Sequence, residues 1–319
     1  MTKNRHLTFS EQRAIASEAH VWILDGLSQK TNWKVEDIVF QGGTSLALAW
    51  DSPRFSEDLD FLAREDLDFK ASMDKIALHL QNGLQHNFLG AQVTIKSKNE
   101  ETKDNQNMVF NFVISLPNVL GNVKVKTEFW RVDQELIKSY DGEYRLLAKR
   151  GSVKPLFGVA SQDQIFFDKM VALGGRDRLK WRDLFDLWYL DAAGVSQSNQ
   201  VNNNRFVEYL ENTLSLYNTS PQKIHENWLA LLDRPNSEIM ELAEKDLKPW
   251  LSEDLWNKLY PKEVEKMVTS MKEKLEFAVK IFPPEEYKGI SSDTFKKLVS
   301  EKRQKKDDLN ATPQDKATP

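Results

Sequence analysis

Residues 40–61 read FQGGTSLALAWDSPRFSEDLDF, and this stretch decides the fold. Gly42 and Gly43 interrupt an apolar run that ends in Val39 and Phe40. An apolar helical stretch resumes over Thr44–Trp50, and Asp51-Ser52-Pro53 stops it. Leu59–Leu62 then reads as a strand. Side chains alternate along a strand, so Asp58 and Asp60 project from one face. Two carboxylates held that close repel each other unless a cation lies between them. Mg2+ (or Mn2+), bound by carboxylates and nucleotide phosphates, meets both the charge and the preference for oxygen ligands. Gly42 and Gly43 let the backbone approach a ligand without a Cβ clash. Thr44 and Ser45 bring hydroxyls to the start of a helix whose free amides favour a phosphate. The lysine of a Walker A loop is missing, and no GxGxxG fingerprint is present. A glycine pair alone is commonly a turn, and an Asp-Leu-Asp alone is commonly solvated surface. Their combination, with Arg54 and Glu57 ahead of the acids, reads as catalytic.

Outward from this stretch the first half mixes helices and strands. Ile15, Ala19, Ile23 and Leu27 predict a helix over Ser10–Ser28, and Met73, Ile76, Leu80 and Leu84 another over Asp68–Asn87. Strands are predicted at Val93–Lys98, Val109–Leu116 and Val123–Val132. The last puts Lys124, Lys126, Glu128 and Trp130 on one face. After Val159 the alternation fades. Helices are predicted over Gln162–Leu173, Arg182–Asp191, Arg205–Leu216, Gln222–Leu232, Ser237–Leu247 and Pro261–Ile281. The expected fold is α+β: a mixed sheet with flanking helices, then a helical C-terminal domain. The expected boundaries are an α/β domain over 1–155, a helical domain over 156–290 that completes the active-site cleft, and a flexible tail over 291–319.

Composition narrows the chemistry. The chain has 319 residues, 44 basic against 48 acidic side chains, and a net charge of −4. That length supports about two domains. The absence of cysteine rules out thiolate nucleophiles and zinc–thiolate or iron–sulfur sites. Five scattered histidines argue against an imidazole-rich metal site, which leaves a hard cation on carboxylates. No apolar leader and no run of 18 apolar residues is present, so a cytoplasmic location without a membrane partner is expected. The net charge offers no general argument for a nucleic-acid partner. Locally the balance differs. Arg145, Lys149, Arg150, Lys154, Lys169, Arg176, Arg178, Lys180 and Arg182 face only Asp163, Asp168 and Asp177 within 145–182. Such a cluster attracts RNA phosphates or forms an ordinary solvated face.

The double glycine followed by Asp-x-Asp resembles the minimal nucleotidyltransferase superfamily, related to DNA polymerase beta. GGTSLALAWDSPRFSEDLDF more closely resembles the AbiEii/AbiGii toxin family, whose members often show a GGT…RFSxDxDF pattern. The segments DQIFFDK at 163–169 and RDLFDL at 182–187 extend the resemblance. It covers roughly residues 10–192, and the later helices are less diagnostic.

The resemblance implies a nucleotidyltransferase-like sheet and a set of roles. Asp58 and Asp60 would be catalytic and would hold the metal. Glu128 best matches the third carboxylate that polymerase-like enzymes carry on a neighbouring strand. A third acid could complete a metal shell or accept a hydroxyl proton. Gly42, Gly43, Thr44, Ser45 and Arg54 would line the nucleotide, and Lys169 would bring positive charge to its triphosphate. Asp183 and Asp186 stand three apart on one helix face. One of them could orient Lys169 or contact the nucleotide while the other pairs with Arg182 or a nearby arginine. The resemblance implies a catalytic role for Asp186 and a nucleotide-binding one for Asp183. The implied protein is the Mg2+-dependent toxin of a toxin–antitoxin or phage-defence system. It would move a nucleotide from a nucleoside triphosphate (NTP) to an acceptor hydroxyl, with the 3′ end of tRNA favoured. Its cognate antitoxin would act with or without stable direct binding. The alternatives are a catalytically decayed nucleotide- or partner-binding protein, and a nucleotidyltransferase acting on a protein or small molecule.

Overall fold

Phe40, Phe61 and Phe129 explain why the central strands pair in the register they do. The computed structural model describes residues 5–98, 106–147, 155–195, 203–216, 219–282 and 287–310. The chain forms two units, residues 1–165 and 166–319. The strands of the first unit are β1 (Arg5–His6), β2 (Ile38–Gln41), β3 (Leu59–Arg64), β4 (Gln92–Ser97), β5 (Asn107–Ser115), β6 (Val119–Leu120), β7 (Val123–Val132), β8 (Gly142–Leu146) and β9 (Leu156–Ala160). Seven of them build one mixed sheet in the order β4-β5-β7-β3-β2-β9-β8, and β1 pairs with β6 apart from it. β3 runs antiparallel to β2 and parallel to β7. In register, Phe40 faces Phe61 and Phe61 faces Phe129. Their rings stack at centroid distances of 5.1 and 5.0 Å, and all three are fully buried.

Helices α1 (Phe9–Lys30) and α3 (Phe69–Leu84) cover this aromatic row. Ile15, Ile23 and Leu27 of α1 and Met73, Ile76 and Leu80 of α3 belong to the same buried cluster. Burying each phenylalanine contributes about 1.5–3 kcal/mol, and each stacked pair adds about 0.5–1.5 kcal/mol. The neighbouring residues Gln41, Asp60 and Glu128 form the next row, with Gln41 facing Asp60 and Asp60 facing Glu128. Alternation puts that row on the opposite face of the sheet. A slip of one residue would push the two acids into the core, so the phenylalanines fix where the acids stand.

Most predicted elements form. Several described elements of the first unit lack a predicted counterpart, β8, β9 and α4 (Gln134–Ser139) among them. The run LFGVA of β9 is five residues long and carries Gly158, so it offers no alternation to read. It nevertheless pairs with β2 through Val159 and Phe40, which carries the sheet past the expected boundary at 155. Helix α2 (Gly42–Ala49) starts at the glycine pair itself rather than at Thr44.

The second unit is helical among its described residues. Helices α5 (Gln162–Gly175) and α6 (Trp181–Ala192) are followed by Asn203–Leu216, Pro221–Asp233 and Lys262–Ile281, with shorter helices between. The single helix expected over Ser237–Leu247 divides into Asn236–Glu241 and Ala243–Asp246. Trp181 and Trp228 lie in the core, where their indole N–H groups donate to the carbonyls of Ile239 and Met170. Within the expected tail, where the sequence allows a short helix over Ser292–Ser300, residues 292–310 form a longer one. Phe295 and Val299 bury themselves on one of its faces, and two apolar anchors four apart are enough to dock a helical turn. The end of the expected tail, 311–319, lies outside the described residues. No helix among the described residues is long and apolar enough to cross a membrane.

Candidate active site

The turn between α2 and β3 is pinned from two sides. Thr44 of α2 donates its hydroxyl to the Asp58 carbonyl. His20 of α1 stands 2.8 Å from the Glu57 carbonyl through Nε2, which must therefore carry the proton. His20 is buried, and burial drives its pKa down to about 4 against the opposing pull of that carbonyl and of Asp58. It is neutral at ordinary pH. Ser45 donates to the Gly42 carbonyl at 2.9 Å. Thr44 and Ser45 are both buried; the Thr44 hydroxyl ties α2 to the turn, and the Ser45 hydroxyl bonds within α2.

The double glycine has a steric cause. Gly42 has φ +80°, in the region that favours glycine, and a Cβ there would come within 2.5 Å of Asp60 Oδ2. A Cβ on Gly43 would fall 2.1 Å from Arg54 Nη2. The Asp60 carboxylate and the Arg54 guanidinium therefore close directly onto the glycine backbone. Arg54 is itself buried and donates to the Phe55 carbonyl at 2.9 Å.

Asp58 and Glu128 share one cation. The Lys126 ammonium lies 2.8 Å from Asp58 Oδ2 and 3.0 Å from Glu128 Oε1. All three side chains are part-exposed, at 41% for Asp58, 31% for Glu128 and 35% for Lys126. Burial pulls the Lys126 pKa down, but its hydrogen bonds and charge interactions with the two carboxylates outweigh that and hold it above the usual lysine value. Asp60, in register with Glu128, stands against Gly42. The sheet thus brings Asp58 and Asp60, around the start of β3, beside Glu128 in the middle of β7. Among the described residues no three carboxylate or imidazole side chains form a finished metal-ligand set. The donor chemistry still fits a hard cation, because two carboxylates already converge on a positive charge.

In the second unit, Lys169 of α5 meets both aspartates of α6. Its Nζ lies 3.0 Å from Asp183 Oδ1 and 2.8 Å from Asp186 Oδ2. The Lys169 side chain is 10% exposed, Asp183 2% and Asp186 0%. Arg176 Nη1 stands 2.9 Å from Asp183 Oδ2 as an ion pair without hydrogen-bond geometry. Arg182 lies over the Trp250 ring, 4.0 Å from its centroid. Arg176, Arg178, Lys180 and Arg182 crowd around the turn before α6. Burial first, then repulsion from Arg176, Arg182 and Arg178, holds the Lys180 pKa down, with Asp183 opposing. Three members of the basic segment, Lys149, Arg150 and Lys154, lie outside the described residues.

Some participants carried no sequence signal. His20 belongs to the buried face of a helix far from residues 54–61, and nothing local marks it. Tyr140 donates to Gln41 Oε1 at 2.7 Å, next to the Asp60 row. Lys126 was visible as a charge on the Glu128 face, but its place between two acids needed the β3–β7 register.

Comparison with known proteins bears on the same residues. No curated protein matches the chain. Among solved structures, JHP933 from Helicobacter pylori is similar at 17% identity and TM-score 0.48, covering 95% of this chain and 100% of that one. MenT4, a nucleotidyltransferase toxin of Mycobacterium tuberculosis H37Rv, is similar at 17% identity and TM-score 0.41, covering 85% of this chain and 94% of that one. Both likenesses are distant. The family model for the nucleotidyl transferase AbiEii toxin of type IV toxin–antitoxin systems matches residues 30–280, which takes in the glycine pair, the acids of β3 and β7, and the α5–α6 ion cluster. That match spans most of the chain, and the protein belongs to the AbiEii nucleotidyl transferase toxin family.

Proposed function

We propose that this chain transfers a nucleotide from an NTP to an acceptor hydroxyl, with Mg2+ or Mn2+ as the metal and the 3′ end of a tRNA as the favoured acceptor. The observation that carries the reading is the convergence of Asp58 and Glu128 on one cation, with Asp60 in register beside them. Family membership supports nucleotidyl transfer and implies a cognate antitoxin. A role in phage defence belongs to the same proposal.

Asp58, Asp60 and Glu128 would hold the metal. When bound, such a cation neutralises phosphate charge and lowers the pKa of a coordinated hydroxyl. In the transfer, the acceptor oxygen bonds to the α-phosphorus, the bond to the bridging oxygen breaks, and pyrophosphate leaves. The hydroxyl proton passes to a carboxylate, for which Glu128 is the candidate. Arg54 and the backbone at Gly42 and Gly43 would frame the nucleotide. Lys169, Asp183 and Asp186 enter by their motif, with Lys169 as the positive charge. The cations at 176–182 offer a surface for acceptor phosphates, which would make binding fall with salt.

The test incubates the protein with each labelled NTP, Mg2+ and total RNA, followed by mass analysis of the RNA. Transfer that is lost in D58A/D60A supports the reading. Transfer that persists in D58A/D60A sinks the site assignment, and nucleotide binding without transfer to any acceptor favours a decayed binding protein.

A further inference from the structure

The position of Lys126 goes beyond a charge near the site. Its ammonium occupies the place where Asp58 and Glu128 come closest to sharing a ligand, at 2.8 and 3.0 Å. A divalent cation that bridges the same two oxygens, Asp58 Oδ2 and Glu128 Oε1, would stand where Nζ now stands. Lys126 is rooted two residues before Glu128 on β7, and the β3–β7 register carries it opposite the approach to Asp58. The lysine is therefore placed by the sheet, and its stem, 35% exposed, has solvent to swing into. We propose that Lys126 is a built-in counter-ion that holds the metal-free carboxylates together and competes with the divalent cation for them. This rests on the reading of Asp58 and Glu128 as metal ligands.

The physical content is one of competition. Two unit charges about 4 Å apart in a part-exposed site interact by an amount equivalent to roughly tenfold or more in an equilibrium constant. Without the ammonium, the carboxylates repel each other and attract an external cation more strongly. With it, they are preorganised but already neutralised. Displacement then also frees a positive charge beside the site, available to the phosphates that accompany the metal.

The experiment measures Mn2+ binding to the full-length protein by calorimetry, without nucleotide, in wild type, K126M and K126R. Folding of each variant is checked by its thermal melt, and the Mg2+-induced rise in that melt gives a second reading of affinity. The expected result is Mn2+ binding about tenfold or more tighter in K126M. K126R, which keeps the charge, should stay near wild type, and the Mg2+-induced rise should be larger in K126M. Equal affinity in wild type and K126M, or weaker binding in K126M, overturns the proposal. If wild type then still transfers nucleotide, the proposed function stands and only the counter-ion role falls. Absence of Mn2+ binding in every variant also overturns the counter-ion proposal, and the transfer assay then decides the proposed function separately.

Discussion

Replacing Lys169 by methionine separates two roles that the sequence leaves open. Methionine keeps the length and the apolar stem but removes the ammonium. The cation lost is one that lies 3.0 Å from Asp183 and 2.8 Å from Asp186, both almost wholly buried. Asp183 retains Arg176 at 2.9 Å. Asp186, at 0% exposure, loses the ammonium 2.8 Å from its Oδ2. Removing one partner of a buried ion pair costs about 3–5 kcal/mol, whereas an exposed pair is worth about 0–1 kcal/mol. For a unit of this size, about 2–4 °C per kcal/mol turns the larger cost into a fall of roughly 6–20 °C in melting temperature. Thermal and urea unfolding, followed by far-UV circular dichroism and tryptophan fluorescence, read this directly. The two units need not melt together, so the quantity to follow is the transition that moves. The double variant K169M/D186N should recover part of the loss, because a neutral amide replaces a carboxylate buried to 0% exposure that has lost the Lys169 ammonium. A loss below about 1 kcal/mol in K169M would refute the reasoning, since it would mean that the ammonium does not hold these aspartates. Loss of transfer in K169M speaks to chemistry only at temperatures well below its own midpoint.

Three further outcomes follow from single side chains. In H20Q the stability profile should flatten between pH 6.5 and 4. The folded-state pKa of about 4 lies below the ordinary value, so the unfolded chain binds the extra proton and wild-type stability falls as pH drops through that window, by up to roughly 3 kcal/mol. Urea midpoints with the same pH slope in both proteins would rule this out. G42A should cost about 1–2 kcal/mol for its positive φ. The new Cβ also displaces Asp60, so transfer should drop by more than stability alone explains, as assays well below the melting point will show. T44V should lose about 1–3 kcal/mol by taking the Thr44 donor from the part-buried Asp58 carbonyl, and T44S should retain most of the bond. Equal urea midpoints for T44V and T44S would contradict the pinning of the turn.

What was legible in the sequence was what alternates or repeats. Val123–Val132 was readable to the residue because its charges and apolar side chains switch at period two. The pairing of Asp183 and Asp186 on one lysine follows from their spacing of three on a helix, although the sequence could not say that both would reach it. The grouping of Asp58, Asp60 and Glu128 was visible only as a match to a pattern. Its physical cause is the register of three phenylalanines, which no local window contains. The same limit hid β9, whose only reason to be a strand is its partner at Phe40. At the glycine pair the fold itself supplies a reason for two glycines that the sequence does not display. The neighbours of the pair are the Asp60 carboxylate and the Arg54 guanidinium, and the Thr44 and Ser45 hydroxyls face inward.

The chain repeats one arrangement under two different conditions. In the first unit Lys126 lies between Asp58 and Glu128, and in the second Lys169 lies between Asp183 and Asp186. The distances are nearly the same, so Coulomb attraction in a fixed medium would treat the two alike. Exposure separates them. The first triad keeps about a third of each side chain in water, which screens the attraction and offers each group a solvated alternative. Opening it costs little. The second triad has no such alternative, because a released aspartate would remain charged inside the fold. A cation seat that must exchange its occupant requires the first condition, and a joint that must hold α5 against α6 requires the second. On energetic grounds, then, the lysine that can be displaced is Lys126, and Lys169 reaches a phosphate only if the incoming charges replace both aspartates at once.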